Sequence, residues 1–508
     1  MAKITVYDGA RTIGGNKIYF EEGDEGLFLD FGMNFKKYGE FFQEFLNLRS
    51  TRGIHDLITL NLIPKLNIYR KDLIPSDLDV SIWKKLNISG VLLTHAHVDH
   101  FGNIGLLSLD IPIVATPITI ALLKGIIDCT QAKLGMDASY FSPKDQSNDG
   151  RILKANRKTE IRRDIYSTTK VSEDLKNFME FCPKKNKTFI NSNNLFSLND
   201  FTTNFNIKSF NLDHSIYGAA GYTIYGDKSL AYTGDFRLHG TQTYQIKDFI
   251  KEAKNCETLV IEGTRTSRDE DDNVSEEEVY KNCLKICQEA KGLIIADFTS
   301  RNFERLETFK KIAVSLGRNL IITKKDAYLL NALKSVDGID RLKNLYVFGD
   351  LKENIKNWET KIIENTNNEI FLDPLDISKN PDNCILCFSL YDMKNILDIK
   401  PNGGTYIYSS SEPFEEESEF DFIRLYNWLK FFDFSIHGFK IIKAKDRIKT
   451  EYTNGFHASG HTSTSDLIKV INEIDPDHII PVHTENPKWF EDNFNNVILP
   501  KEGKKIIL

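Results

Sequence analysis

The chain has 508 residues with 65 Lys+Arg and 72 Asp+Glu, a net charge of −7, and it is 41% hydrophobic and 27% charged. That is a globular composition with material for two or three domains, and with no run of eighteen apolar residues it excludes a membrane-spanning helix. Seven cysteines and a start without signal-peptide character point to a reducing, cytoplasmic setting, and the mild acidity makes nucleic acid a poor expectation on charge alone.

The chain opens with apolar runs separated by glycines, Ile4–Val6, Ile18–Phe20 and Leu27–Leu29, which predict a β-meander. Gly14-Gly15 reads as its hairpin turn, not as a dinucleotide fingerprint. Residues 36–88 read as a mixed, partly helical insertion broken by Pro64 and Pro75. The buried strand Val91–Thr94 then runs into His95-Ala96-His97-Val98-Asp99-His100. Further strands are predicted over 205–211, 221–225, 229–233 and 259–261. The acidic stretch 269–278 opens a helix to about residue 290. The middle of the chain alternates: strand 293–296, helix 301–316, strand 319–322, helix 325–335, strand 344–347, helix 351–364, strand 384–388. That alternation predicts an α/β unit on a parallel sheet. A helix over 466–473 and a closing strand over 479–482 follow. The pattern is a β-rich domain, interrupted by an α/β insertion of roughly 170 residues and completed by the C-terminus.

Three histidines and an aspartate within six residues, directly after a buried strand, suit zinc or manganese. His214, Asp235 and His483 each follow a strand of their own. In a layered β fold such strand ends gather on one edge, so all of these side chains can converge. Cys384 and Cys387 lie in an apolar strand, and Cys283 and Cys287 lie one helical turn apart; both pairs read as core. The acidic runs 269–278 and 412–421 read as solvated faces.

The cluster, His214, Asp235 and the start Gly9-Ala10-Arg11 … Leu29-Asp30-Phe31-Gly32 resemble the metallo-β-lactamase superfamily. Val260-Ile261-Glu262-Gly263-Thr264, Phe456-His457-Ala458-Ser459-Gly460-His461-Thr462 and Pro481-Val482-His483-Thr484-Glu485 look like motifs A, B and C of its β-CASP nucleases, most like the RNase J group. Asp297-Phe298-Thr299-Ser300-Arg301 resembles the loop and helix start of the inserted domain. The resemblance implies an α/β fold, an αββα sandwich with an inserted α/β β-CASP domain, divided 1–264, 265–440 and 441–508. It implies a metal-dependent ribonuclease, 5′→3′ exonucleolytic with endonuclease action in reach, in RNA processing or decay. Two divalent ions are expected, zinc first and manganese as the alternative. His95, His97 and His214 would hold one, Asp99, His100 and His483 the other, with Asp235 bridging. The catalytic set is His461, Asp99 and Glu262, with His461 as general acid or phosphoryl donor and Glu262 orienting it. Asp30 is expected to hydrogen-bond the cluster loop instead of a metal. RNA contacts are expected from His457, Ser459, Ser463 and Thr464 at a helix N-terminus, and from Ser300 and Arg301. The plainer alternatives are an N-cap at Thr464 or Ser465, and a Ser300 cap with Arg301 solvated. The chain ends 25 residues after His483, which implies a member without the extra C-terminal domain of many bacterial RNase J proteins, and a homodimer mode that does not use one.

Three other functions compete. A small-molecule hydrolase on the same fold lacks motifs A and B. A DNA nuclease usually carries valine where His483 stands. A non-catalytic β-CASP RNA-binding subunit loses metal ligands. Residues 151–187 hold 11 Lys/Arg against 5 acids, a net +6 that leaves −13 elsewhere. This strip, including Arg162 and Arg163, is expected to guide RNA into an interdomain groove.

Overall fold

The meander forms as strands Ala2–Asp8, Lys17–Glu22 and Glu25–Phe31, and its apolar side chains are buried on both faces, Phe20, Leu27 and Leu29 on one and Tyr19, Phe28 and Phe31 on the other. It belongs to an eight-stranded sheet that continues through Ile88–Leu92, Ile113–Ala115, Ile165–Ser167 and Leu195–Ser197. A five-stranded sheet faces it, ordered Asn206–Asn211, Ala220–Tyr225, Ser229–Tyr232, Thr258–Glu262, His478–Val482. Ile4, Val6, Phe20, Leu27 and Leu29 from the first sheet meet Tyr222, Ile224, Leu230, Val260 and Ile480 from the second. Each fully buried side chain of this kind contributes about 1.5–3 kcal/mol.

Helices cover both outer faces. Pro117–Cys129 packs on the eight-stranded sheet, while Ile246–Ala253 and Thr464–Ile474 pack on the five-stranded one. The layers therefore run helix, sheet, sheet, helix. The structure is a computed structural model, and it describes the chain except residues 44, 131–132, 192–193, 268–273, 367–368, 411–416 and 444–447, with the side chains of 417–420, 443 and 448 also outside the description. The acidic stretches 269–273 and 412–416 therefore lie outside the described residues.

A third sheet of seven strands is built wholly from residues 293–437, with every neighbouring pair parallel. Beyond the elements expected, it includes strands Phe371–Leu372, Gly404–Tyr408 and Phe434–His437. The expected helix 351–364 begins only at Asn357, where the Glu359 carboxylate accepts the Lys356 N–H at 2.8 Å. The cluster strand ends at Leu92, before Leu93-Thr94. The strand 478–482 is not the last element: Lys505–Ile507 pairs with the N-terminal strand as an edge. Its apolar run is too short to stand out as a pattern.

Two expectations about charge need correction. Glu276, in the acidic run read as a solvated face, is buried against Arg305. The basic strip is not one surface. Arg163 is 0% exposed and donates to the carbonyls of Leu107, Ser108 and Ile111. Arg162 is buried against the Asn191 carbonyl and the Phe189 ring. Lys184 and Lys187 both pair with buried Glu160. All seven cysteines are unpaired, and Cys283, Cys287, Cys384 and Cys387 are buried.

Candidate metal centre and catalytic cleft

Strands Glu25–Phe31 and Ile88–Leu92 run parallel, as do Ser229–Tyr232, Thr258–Glu262 and His478–Val482. Their C-terminal ends deliver Asp30, the histidine cluster, Asp235, Glu262 and His483 to one edge of the sandwich. The cluster is turned sharply, with His97 preceding the short helix Val98–Phe101. Gly32 makes that turn possible, since a Cβ there would lie 1.6 Å from the Asp99 carbonyl oxygen. Gly14-Gly15 lies in the expected hairpin connection and does more. Both take positive φ, and the Gly15 N–H donates to the Asp99 carbonyl at 2.9 Å.

The side chains converge in two groups. His97 Nδ1 lies 3.0 Å from His95 Nε2 and 3.1 Å from His214 Nε2. In the second group, His483 Nε2 lies 3.2 Å from Asp99 Oδ2, and His100 Nε2 lies 3.0 Å from Asp235 Oδ2. Asp235 Oδ2 is also 3.6 Å from His483 and 3.8 Å from His95, so it sits between the groups. A single His97 Nδ1–H can serve only one of its two neighbouring ring nitrogens, whereas a divalent cation takes a lone pair from all three. Asp235 Oδ1 is buried with no hydrogen-bond partner among the described residues, a second sign that the donor set fits a cation.

Hydrogen bonds fix the far side of these rings. His100 Nδ1 faces Asp30 Oδ2 at 2.7 Å. Asp30 also accepts the Thr94 N–H at 2.8 Å and the Tyr232 hydroxyl at 2.7 Å, so it holds the cluster loop. His214 Nδ1 donates to the Gly460 carbonyl at 2.5 Å, and His483 Nδ1 faces the Thr264 hydroxyl at 2.8 Å. His483 adopts φ +53°, uncommon outside glycine, and its N–H is tied to the Gly9 carbonyl. Such support sets ring orientation and tautomer.

Burial and the neighbouring imidazoles hold His95 and His97 well below the ordinary histidine range, and burial with His461 lowers His214 to about 4. These rings are therefore neutral at pH 7, the form in which imidazole can ligate a metal. Burial opposes ionisation of Asp235, but His100, His483 and His461 outweigh it and hold its carboxyl well down.

Glu262 accepts the N–H groups of Phe236 and Thr264, and His461 Nδ1 lies 3.1 Å from its Oε2. With Nδ1 turned to Glu262, Nε2 is the nitrogen left for the cleft that His461 lines. The cleft is a cavity of about 780 Å³. It is lined by Asp99, His97 and His483 from the sandwich and by Thr299, Asn302 and Tyr408 from the segment of the seven-stranded sheet.

The expected RNA contacts divide. His457 and Ser459 line the cavity; Ser463, Thr464, Ser300 and Arg301 are not among its lining residues. Ser463 is itself the N-cap, its hydroxyl accepting the Asp466 N–H at 3.2 Å, with Thr464 opening the helix behind it. The helix near Ser300 is capped by Asn302. Arg301 reaches inward to the Ala96 carbonyl at 3.3 Å, inside the histidine cluster. No residue of 151–187 lines the cavity. Sequence reading gave no role to Thr264, quoted only as the end of motif A, or to Tyr232 and Thr94, ordinary residues beside Asp235 and His95.

Residues 72–120 match the metallo-beta-lactamase superfamily model, and residues 446–493 match the Zn-dependent metallo-hydrolase RNA specificity domain. The chain is 22% identical over 498 residues to Ribonuclease J of Mycoplasma pneumoniae, covering 95% of this chain and 68% of that protein. It is 21% identical over 504 residues to Ribonuclease J of Helicobacter pylori strain J99, covering 95% of this chain and 56% of that one. It therefore spans only part of the length of these relatives. A crystal structure of a protein of unknown function from Enterococcus faecalis V583 aligns over 100% of both chains, with TM-score 0.67 and 22% identity. The metallo-hydrolase match and the two His/Asp groups together assign divalent-metal use to this edge of the sandwich. Motifs, layers and matches agree in likening the chain to Ribonuclease J proteins and to the metallo-β-lactamase superfamily.

Proposed function

We propose that the protein is a metal-dependent ribonuclease that hydrolyses RNA phosphodiester bonds, with a preference for 5′→3′ action on 5′-monophosphate ends. The observation that carries the reading is Asp235 Oδ2, placed between the His95–His97–His214 group and the Asp99–His100–His483 group. In this reading the first group would hold one divalent ion and the second another, with Asp235 available to both. Zinc is the expected ion, with manganese compatible with the same donors. Divalent ions bound there supply charge neutralisation at the phosphodiester and acidify a water.

The chain's own residues do the rest. Glu262 holds His461 by Nδ1, so that Nε2 can give a proton to the leaving oxygen. Asp30, Thr264 and the Gly460 carbonyl keep the ligand rings in place. His457 and Ser459, which line the cleft, are assigned in this reading to the 5′ end of the strand. The division 1–264, 265–440 and 441–508 belongs to the same reading, supported by a seven-stranded sheet confined to 293–437 and a five-stranded sheet that joins 206–262 to 478–482.

The test is a substrate panel with protein loaded with Zn²⁺ or Mn²⁺. Mononucleotides released from 5′-monophosphate RNA, with little from 5′-triphosphate RNA or matched DNA, are expected. Internal fragments would replace the exonuclease reading with an endonuclease one, and intact RNA beside a loaded metal site would refute ribonuclease function.

A further inference from the structure

The segment carrying His457, Ser459 and His461 lies between the strand Ile448–Tyr452 and the helix Thr464–Ile474, with no strand or helix of its own. Two guanidiniums, each 0% exposed, hold its main chain. Arg305 pairs through Nε and Nη2 with both Glu276 oxygens, at 3.1 and 2.9 Å. Its Nη1 donates to the Phe456 carbonyl at 3.1 Å, to the Ser409 hydroxyl at 2.5 Å and to the Ser409 carbonyl. The Ser409 hydroxyl itself donates to the Phe456 carbonyl at 2.6 Å. Arg237 pairs with Asp213 at 2.9 Å and with Glu304, and its Nη1 donates to the Ser459 carbonyl at 3.3 Å. The next carbonyl, Gly460, takes the His214 Nδ1–H.

Burying two guanidiniums and three carboxylates is a costly way to hold a fold that apolar packing could hold as well. What the charges add is direction. A planar fork can grip a carboxylate on one edge and main-chain carbonyls on the other, which a lysine ammonium cannot. Glu276, Glu304, Arg305 and Ser409 come from the segment that builds or borders the seven-stranded sheet. Asp213 and Arg237 come from the sandwich. The network therefore fixes the segment against both at once.

We propose that Arg305 and Arg237 are positioning residues: by holding the carbonyls of Phe456 and Ser459 they set where His461 stands relative to the metal-ligand groups. The inference rests on the ribonuclease reading, with His461 as the proton donor. A proton donor matters for RNA, whose leaving oxygen is a poor leaving group. It does not matter for bis(p-nitrophenyl) phosphate, whose nitrophenolate leaves without a proton. A purely structural role would lower both activities together.

The test compares initial rates on 5′-monophosphate RNA and on bis(p-nitrophenyl) phosphate for wild type, Arg305→Lys and Ser409→Ala, with metal content measured in each. Arg305→Lys keeps the charge beside Glu276 and loses the fork. RNA cleavage should fall by up to roughly 10²-fold, with diester hydrolysis and bound metal nearly unchanged. Ser409→Ala, which buries no new charge, should show the same asymmetry more weakly, and it decides the matter if Arg305→Lys does not fold. Parallel losses on both substrates, or no loss on either, would overturn the inference while leaving the ribonuclease reading intact. Wild-type protein that cleaves the diester but not RNA would overturn that reading, and this inference with it.

Discussion

Asp235 has one oxygen among four histidines, His95, His100, His461 and His483, and the other buried with no hydrogen-bond partner among the described residues. Asp235→Asn is expected to lower bound metal and abolish RNA cleavage, read by metal analysis beside activity. His461→Ala should instead keep its metal and lose roughly 10²–10⁴-fold in rate, the usual span for a general acid. Full rate in that variant would remove His461 from the chemistry. Arg163 and Lys154 show how differently two cations of the same strip are used. Arg163 is fully buried among main-chain carbonyls, and Lys154 is exposed. Arg163→Glu would bury a carboxylate against carbonyl oxygens and should destabilise by about 3–5 kcal/mol or prevent folding. Lys154→Glu should leave the thermal midpoint nearly unchanged. The residue count along 151–187 could not separate the two, because it carries no information about which side chains turn inward.

At the scale of elements, what was legible followed a period. The meander, the strands that end at Asp235, Glu262 and His483, and the alternation from 293 to 388 all have apolar runs of the right length, and they appear within a few residues of expectation. Gly404–Tyr408, bordered by two glycines, and the three-residue edge Lys505–Ile507 have weaker patterns and were not anticipated. The end of strand Leu293–Asp297 carries a pH dependence. Asp297 is buried, and desolvation pushes its carboxyl up to about 7, against the opposing hydrogen bond from Tyr406. Between about pH 4 and pH 7 the folded chain keeps a proton that the unfolded chain has released. This group therefore lowers stability as pH rises through that window, and adds nothing further above it. The effect is about 4 kcal/mol at most. Asp297→Asn should accordingly be more stable than wild type at pH 8 and similar at pH 4, as read by thermal melts. An equal gap at both pH values would contradict the assignment.

For the whole molecule, the net charge of −7 suggested a protein indifferent to polyanions. The basic strip is less than the count suggested, because its arginines at 162 and 163 are internal and none of its residues lines the cavity, although Arg151, Lys154, Arg157 and Lys158 are exposed. Positive charge at the cleft itself comes from Lys36 and Arg265 on its wall, and divalent ions held there would add charge that a residue count omits. The site residues were legible because metal chemistry concentrates histidine and aspartate at strand ends. The network of Arg237 and Arg305 was not, since its partners lie up to 222 residues away along the chain and each alone is an ordinary charged residue. The most direct measurement is RNA hydrolysis by chelator-stripped protein as Zn²⁺ or Mn²⁺ is titrated back, with bound metal counted at each point. Activity absent at the start and reaching its plateau at two ions per chain is the predicted result. Full cleavage by the stripped protein, or none with two ions bound, would contradict it.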